Sequence, residues 1–475
     1  MLFNSLEYLL FLPIVLTLYW IANKRSLQLQ NILLLASSYF FYACWDWRFL
    51  FLLLFSTVLD YFTGIKMHEA TNKSRKKFWF WLSVGINLGF LGIFKYYNFF
   101  ADSFASLLSS FGFQANFWTL QIILPVGISF YTFHGLSYVI DIYKNRIEPE
   151  RNVVEYSLFV SYFPLLVAGP IERATHLLPQ LKKRRIFDYD KAVEGVFQII
   201  WGLFKKIVVA DNCAFFVNQL FENPEKYSAG ELWIGAVFFA FQIYGDFSGY
   251  SDIALGTSKL FGIDLLKNFK FPYFAKDIAD FWRRWHISLS SWFRDYLYVP
   301  LGGSHGSMAL KIRNTFIIFL VSGFWHGANW TFIVWGALHA ILFLPLLLAN
   351  KNRNSLIDSG YSPKDFPRIL FTFILVCLAW VIFRADNLHD AMQYLGGMFD
   401  PSHVTFHFFI KNAKYTLLTL IGLTSILFLI FIEWNNLKRG NSEVLLSKKA
   451  VFVLLLMLFF MGAYKNQLSF IYFQF

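Results

Sequence analysis

Two histidines, His286 and His326, sit where side-chain type and spacing are suited to chemistry. His286 lies in FWRRWHISLSSWFRDYLYVPLGG, residues 281–303, among three tryptophans and three arginines. His326 lies in FLVSGFWHGANW, residues 319–330, inside a run long and apolar enough to cross a bilayer. An ionisable group in hydrocarbon is costly and marks a functional site by default. A neutral imidazole there can take the proton of an attacking hydroxyl, which helps an alcohol displace a thioester. If the span starts at Ile312, His326 stands about 21 Å from that end, at about 1.5 Å per residue. Gly323 and Gly327 flank it, four residues apart, which permits close helix approach or a local break. Asn329 and the neighbouring indoles are candidates to orient the ring. Ser322 is one turn away on the same face, so a covalent acyl-enzyme stays open.

The arginines around His286 offer a second chemistry. On a helical wheel Phe281, Trp282, Trp285, Leu289, Trp292, Phe293 and Tyr296 share one face. Arg283, Arg284 and Arg294 fall on the other, with Asp280, Asp295 and Ser291, and His286 falls at the edge. The pattern predicts one interfacial helix over 281–297. Guanidinium groups match the oxygens of phosphate and carboxylate. Two readings stay open: the three arginines hold the phosphates of a coenzyme A thioester, or they meet anionic lipid headgroups. The GGSHG stretch reads as a turn with His305 in solvent, and His134 and His339 read as packing histidines. Polar residues in FQIYGDFSGYSDIALG, from Gln242 to Asp252, read either as a tunnel wall or as capping at a helix end.

The elements that must position these groups are membrane helices. The 475 residues are 57% hydrophobic and only 15% charged, against roughly a quarter charged in soluble domains. Apolar runs long enough to cross a hydrocarbon core of ~30 Å recur throughout. We read twelve spans, near 4–22, 30–46, 49–65, 78–95, 121–143, 191–219, 231–247, 312–330, 331–349, 367–384, 415–434 and 449–464. The fold class is all-α, a polytopic bundle of 11–12 spanning helices with re-entrant and interfacial helices, in one domain over 1–475. Lys205 and Lys206 predict that 191–219 splits into two half-helices, and Pro164 and Gly169-Pro170 mark 153–171 as a re-entrant candidate. The net charge of +12 resides largely in short loops, the positive-inside pattern, so nucleic acid is not an expected partner. Alternating the spans puts both termini on the non-cytoplasmic side. The first span lacks a basic leader and a cleavage site, so no cleaved signal is expected. Cys44, Cys213 and Cys377 are far apart and read as buried thiols. No spacing reads as a metal site.

FWRRWHISLSSWFRDYLYVPLGG, the later WHG and the closing FIYFQF resemble the membrane-bound O-acyltransferases, most nearly the bacterial alginate O-acetyltransferase subgroup. The opening LFNSLEYLLFLPIVLTLYW and the middle YFPLLVAGPIER extend the likeness over most of the chain. The resemblance implies a ring-like helical bundle with a thin centre. It makes His326 the essential histidine, reached through a tunnel, and His286 the second family histidine on the cytoplasmic side. It also implies a multi-pass protein of the bacterial inner membrane with no tightly bound cofactor. Acetyl-CoA or another acyl thioester is the implied donor. Membrane lipids, separate periplasmic or extracellular acetyltransferase proteins and an extracellular polysaccharide such as alginate are the implied partners. D-alanyl transfer to teichoic acid and peptidoglycan O-acetylation are alternatives within the family. A transporter or channel is the alternative outside it, and the chain shows no internal repeat of the kind transporters often carry.

Overall fold

The computed structural model describes residues 1–113, 124–166, 169–353, 361–464 and 470–471. Residues 121–123 of the expected span 121–143, residues 167–168 of the re-entrant candidate and the last four residues of FIYFQF lie outside the described residues. Every regular element among the described residues is helical.

The chain forms two compact units, residues 1–192 with 258–266, and residues 193–257 with 267–475. The first begins with α1 (Leu6–Asn23), α2 (Leu27–Ala43) and α3 (Trp47–Glu69). Next, α4 (Lys73–Leu91) runs through a π-helical turn at Gly92–Tyr96 into α5 (Tyr97–Ser110). It continues with α6 (Ile128–Tyr143), α7 (Val153–Ser161), α8 (Phe163–Leu166) and α9 (Ala174–Leu181). Asp60 on α3 is buried and accepts hydrogen bonds from Ser83 Oγ at 2.5 Å and Asn87 Nδ2 at 2.8 Å. A Cβ at Gly135 would stand 1.9 Å from the Asp60 carboxylate, so only glycine lets the α6 backbone pass it.

α10 (Tyr189–Leu203) leads through a seven-residue π-helical stretch, Phe204–Ala210, into α11 (Asp211–Glu222). The expected break into two half-helices is therefore absent. The helix widens and continues because its lysines are neutralised from α12 (Ala229–Leu260). α12 outruns the expected span end at 247 for the same reason, so the polar residues from Gln242 to Asp252 are mid-helix rather than caps. A Cβ on Gly202 would stand 2.5 Å from Gly249 O, so these helices touch through their backbones. The second unit continues with α13 (Ile278–Arg284), α14 (Ile287–Phe293), α15 (Met308–His326) and α16 (Trp330–Leu348). It closes with α17 (Phe366–Arg384), α18 (Leu388–Met398), α19 (His407–Ile410), α20 (Ala413–Lys438) and α21 (Lys448–Met461).

Seven helices among the described residues are long and apolar enough to cross a membrane: α1, α3, α4 through α5, α15, α16, α17 and α20. The chain is thus a multi-pass helical membrane protein. The other five expected spans are helical as well, but shorter or more polar. α6, for instance, has 16 residues and is buried along nearly its whole length. Cys213 and Cys377 are buried as expected, whereas Cys44 is exposed at the end of α2.

Candidate functional site

His286 does not lie on one continuous helix over 281–297. Asp277 caps α13 by accepting from Asp280 N at 2.8 Å, and the helix ends at Arg284. Trp285 is then extended, and His286 adopts left-handed backbone, φ 44° and ψ 54°, before α14 starts. A side chain with a Cβ pays about 1–2 kcal/mol for that conformation. The segment 268–270 holds it in place. Lys270 N donates to Arg284 O at 3.0 Å, Ile287 N donates to Asn268 O at 2.9 Å, and Ser288 Oγ reaches Asn268 Oδ1 at 2.6 Å. The helical wheel failed here because tertiary pairing at Asn268 and burial of Trp285 against Phe269 and Trp380 outweigh helical periodicity. His286 is fully buried instead of standing at the edge of an apolar face. It packs against Phe247 and Trp325, at centroid distances of 4.6 and 5.9 Å. Neither ring nitrogen has a hydrogen-bond partner among the described residues. Burial pushes its pKa down to about 3, so the ring is neutral at physiological pH.

His326 is the last residue of α15, and the extended Gly327 ends the helix. A Cβ on Gly323 would stand 2.2 Å from Phe332 O, and one on Gly336 would stand 2.4 Å from Phe319 O. Those two glycines let α15 and α16 touch backbone to backbone, and this contact sets the position of the imidazole. The ring is 3% exposed and is walled edge-on by Trp325, Trp335 and Phe383, at 5.1, 5.3 and 5.4 Å. The indoles do surround it, as expected. Asn329 is committed elsewhere, capping α16 at Thr331 N and donating to Asp386 O at 2.7 Å. His286 and His326 both contact the indole of Trp325, so the structure brings the two sequence motifs together.

A cavity of about 350 Å³ lies next to this cluster through Trp282, which packs against Trp335 at 5.6 Å, and neither His286 nor His326 is among its lining residues. Arg283, Arg294 and Arg353 line it, together with Trp282, Phe319 and Ser322. Ser322 stands one helical turn before His326 on α15. Arg283 donates to Asn352 O at 2.8 Å, and its burial lowers its pKa. Arg353 donates to Ser304 Oγ at 3.0 Å, and Arg294 pairs with Asp295 at 2.8 Å. Arg284 is not among the lining residues. Its guanidinium is held by Asp280 at 2.8 Å and by Lys270 O at 3.2 Å. Sequence reading missed Arg353, because a residue two helices away from the motif carries no local signal.

His339 on α16 joins the aromatic cluster through Trp282 and Trp335. It is fully buried, and its Nδ1 accepts from Trp282 Nε1 at 3.2 Å. It also packs against Trp335 at 4.7 Å.

A second buried polar group lies on the π-helical stretch. Lys206 pairs with Asp211 and Asp246, each at 2.8 Å, and Lys205 pairs with Asp252. Tyr244 donates to Glu433 at 2.5 Å. These contacts absorb the acidic residues of FQIYGDFSGYSDIALG.

Residues 148–354 match the model of the MBOAT, membrane-bound O-acyltransferase family. The chain is 42% identical over 405 residues to the probable alginate O-acetylase AlgI of Pseudomonas putida, covering 84% of this chain and 80% of that protein. It is also 42% identical over 409 residues to the protein of the same name from Pseudomonas aeruginosa, covering 84% and 75%. A peptidoglycan O-acetyltransferase of Helicobacter pylori is 36% identical over 443 residues, covering 87% and 82%.

Proposed function

The chain belongs to the membrane-bound O-acyltransferase family, and from that membership we propose that it moves acetyl groups from a cytoplasmic thioester to an extracellular polysaccharide, with His326 as general base. The observation that carries this reading is the position of His326, buried behind aromatic rings and one turn from the serine that lines an arginine-rimmed cavity. In the proposed step the acceptor hydroxyl oxygen attacks the thioester carbonyl. A C–O bond forms and the C–S bond breaks. The hydroxyl proton passes to His326 and then to the departing thiolate. Arg283, Arg294 and Arg353 would face the phosphates of acetyl-CoA, and their guanidinium forks suit that charge. Arg284, tied to Asp280, serves the loop that holds His286. His286, neutral and without hydrogen-bond partners among the described residues, would orient the acyl donor.

The names of the relatives favour a cell-surface polymer as acceptor, alginate in two of them and peptidoglycan in the third. Separate periplasmic proteins would complete transfer to the polymer. The peptidoglycan reading stays as a second one, because that relative matches the longest stretch of the three. The basic loops support placement in the bacterial inner membrane with both termini outside.

The test is transfer of labelled acetyl from acetyl-CoA to exopolysaccharide in membranes carrying the wild type or His326→Ala. We expect label to fall by at least about 100-fold in the variant, at equal protein level. Undiminished label would remove His326 from the chemistry.

A further inference from the structure

The aromatic cluster beside His326 holds an unusual excess of donors. Trp285, Trp335 and Trp380 are all fully buried, and none of their indole N–H groups has an acceptor among the described residues. The three rings form one cluster, with Trp335 stacked on Trp380 at 5.6 Å and Trp380 at 4.9 Å from Trp285. His339 adds a fourth donor. Because its Nδ1 accepts the indole hydrogen of Trp282, the neutral ring carries its proton on Nε2, and Nε2 has no partner either. An unsatisfied buried donor costs about 1–3 kcal/mol, so four around one aromatic cluster is a recurring expense that folding alone does not explain. Trp335 joins the cluster to the chemistry, 5.3 Å from His326 and 4.7 Å from His339. Trp282, which fixes the His339 tautomer, lines the arginine-rimmed cavity.

An indole N–H donates and accepts nothing, so a group that satisfies these donors brings lone pairs, as a carbonyl oxygen does. We propose that His339 Nε2–H, with the indole N–H groups of this cluster, binds the acyl oxygen of the donor thioester and stabilises the charge it gains during transfer. The inference rests on the acyl-transfer reading above. As the hydroxyl oxygen bonds to the carbonyl carbon, the C=O π electrons move onto the acyl oxygen. Donors already fixed in a dry site hold that charge without reorganising. Collapse restores the C=O bond and expels the thiolate, which takes the proton held by His326. His339 thereby becomes a catalytic residue rather than a packing one.

The experiment measures acetyl transfer from acetyl-CoA by the full chain in membranes, with kcat and KM separated. His339→Leu removes the donor, and His339→Gln keeps an N–H near the Nε2 position. We expect kcat to fall about 100-fold in the leucine variant with KM changed by less than about threefold, and the glutamine variant to recover about tenfold. Trp380→Phe keeps the ring while deleting one N–H, and should lower kcat about tenfold. Full kcat in His339→Leu overturns the proposal, as does a glutamine variant no better than leucine at equal protein level. If the leucine variant does not accumulate, Trp380→Phe decides. His326→Ala runs in parallel. Its inactivity beside a fully active His339→Leu sinks the oxygen-binding role of the cluster alone, whereas its retention of transfer sinks the base assignment and leaves the His339 result to be read from kcat.

Discussion

Two buried polar regions of the second unit solve the same problem in opposite ways. Around the π-helical stretch, Lys205, Lys206, Asp211, Asp246 and Asp252 each enter an ion pair. In the aromatic cluster, the indoles of Trp285, Trp335 and Trp380, the Nε2 of His339 and both nitrogens of His286 have no partner among the described residues. Burying polar groups is tolerable when they satisfy one another, and costly otherwise. The first region therefore serves architecture, fastening α10 and α11 to α12. The second keeps its hydrogen-bonding capacity for something that arrives.

The sharpest way to break the contrast is to damage the satisfied region. Lys206→Met leaves Asp211 and Asp246 buried without their cation, which should cost about 3–5 kcal/mol. The expected outcome is a large drop in detergent-solubilised protein and in its unfolding temperature. Adding Asp211→Asn and Asp246→Asn removes the stranded charges and should recover most of the loss. Activity should track the amount of folded protein throughout. If Lys206→Met folds normally and loses acetyl transfer, the ionic region belongs to the site and the contrast falls.

How far the sequence disclosed these two regions follows from what each depends on. His326 was legible because a histidine in an apolar run is conspicuous, and Gly323 beside it pointed to close helix approach, which the Phe332 carbonyl contact bears out. Each of the twelve expected spans is helical over most of its described residues, since apolar length is a local property, though ends such as 44–46, 124–127 and 462–464 are not helical. The break at His286 was not legible. It depends on Asn268 and Lys270, which reach it through space and leave no trace in the 281–297 periodicity. The pairing of Lys206 with Asp246, forty positions on, was hidden for the same reason, and so a break was expected between α10 and α11 and α12 was expected to end at 247. Arg353 and His339 share that cause, because each acquires its role only from neighbours distant in sequence.

His286 sharpens the comparison through pH. Its pKa in the folded chain is pushed down to about 3 by burial, while an exposed histidine titrates near 6.5. Above about pH 6.5 neither the folded nor the unfolded ring is charged, and the histidine leaves stability unaffected by pH. Below that the unfolded chain binds a proton that the folded chain refuses, so stability falls as pH drops toward 3. At pH 5 the loss should reach about 2 kcal/mol. Unfolding temperatures of the wild type at pH 7.5 and pH 5 would show it, and His286→Gln should remove this component while other groups keep theirs. Equal acid sensitivity in the variant would mean that the ring is protonated or hydrated in the folded protein.

The smallest expected effect concerns Arg353 and separates the rim of the cavity from the aromatic cluster. Arg353 is exposed at the cavity mouth and hydrogen-bonds Ser304, so its removal should disturb the fold little. A guanidinium that meets a donor phosphate acts equally on bound substrate and transition state, so its loss raises KM and spares kcat. Arg353→Ala should raise KM for acetyl-CoA about tenfold, and Arg353→Lys should recover only part of it, since a point charge cannot reproduce the bidentate fork. The increase should shrink at high salt, because the site is open to solvent and screened there. The cluster residues should respond in the other parameter, with His339→Leu lowering kcat at nearly constant KM. A fall in kcat on losing Arg353, or a rise in KM alone on losing His339, would erase the distinction between groups that hold the donor and groups that act on its reacting carbonyl.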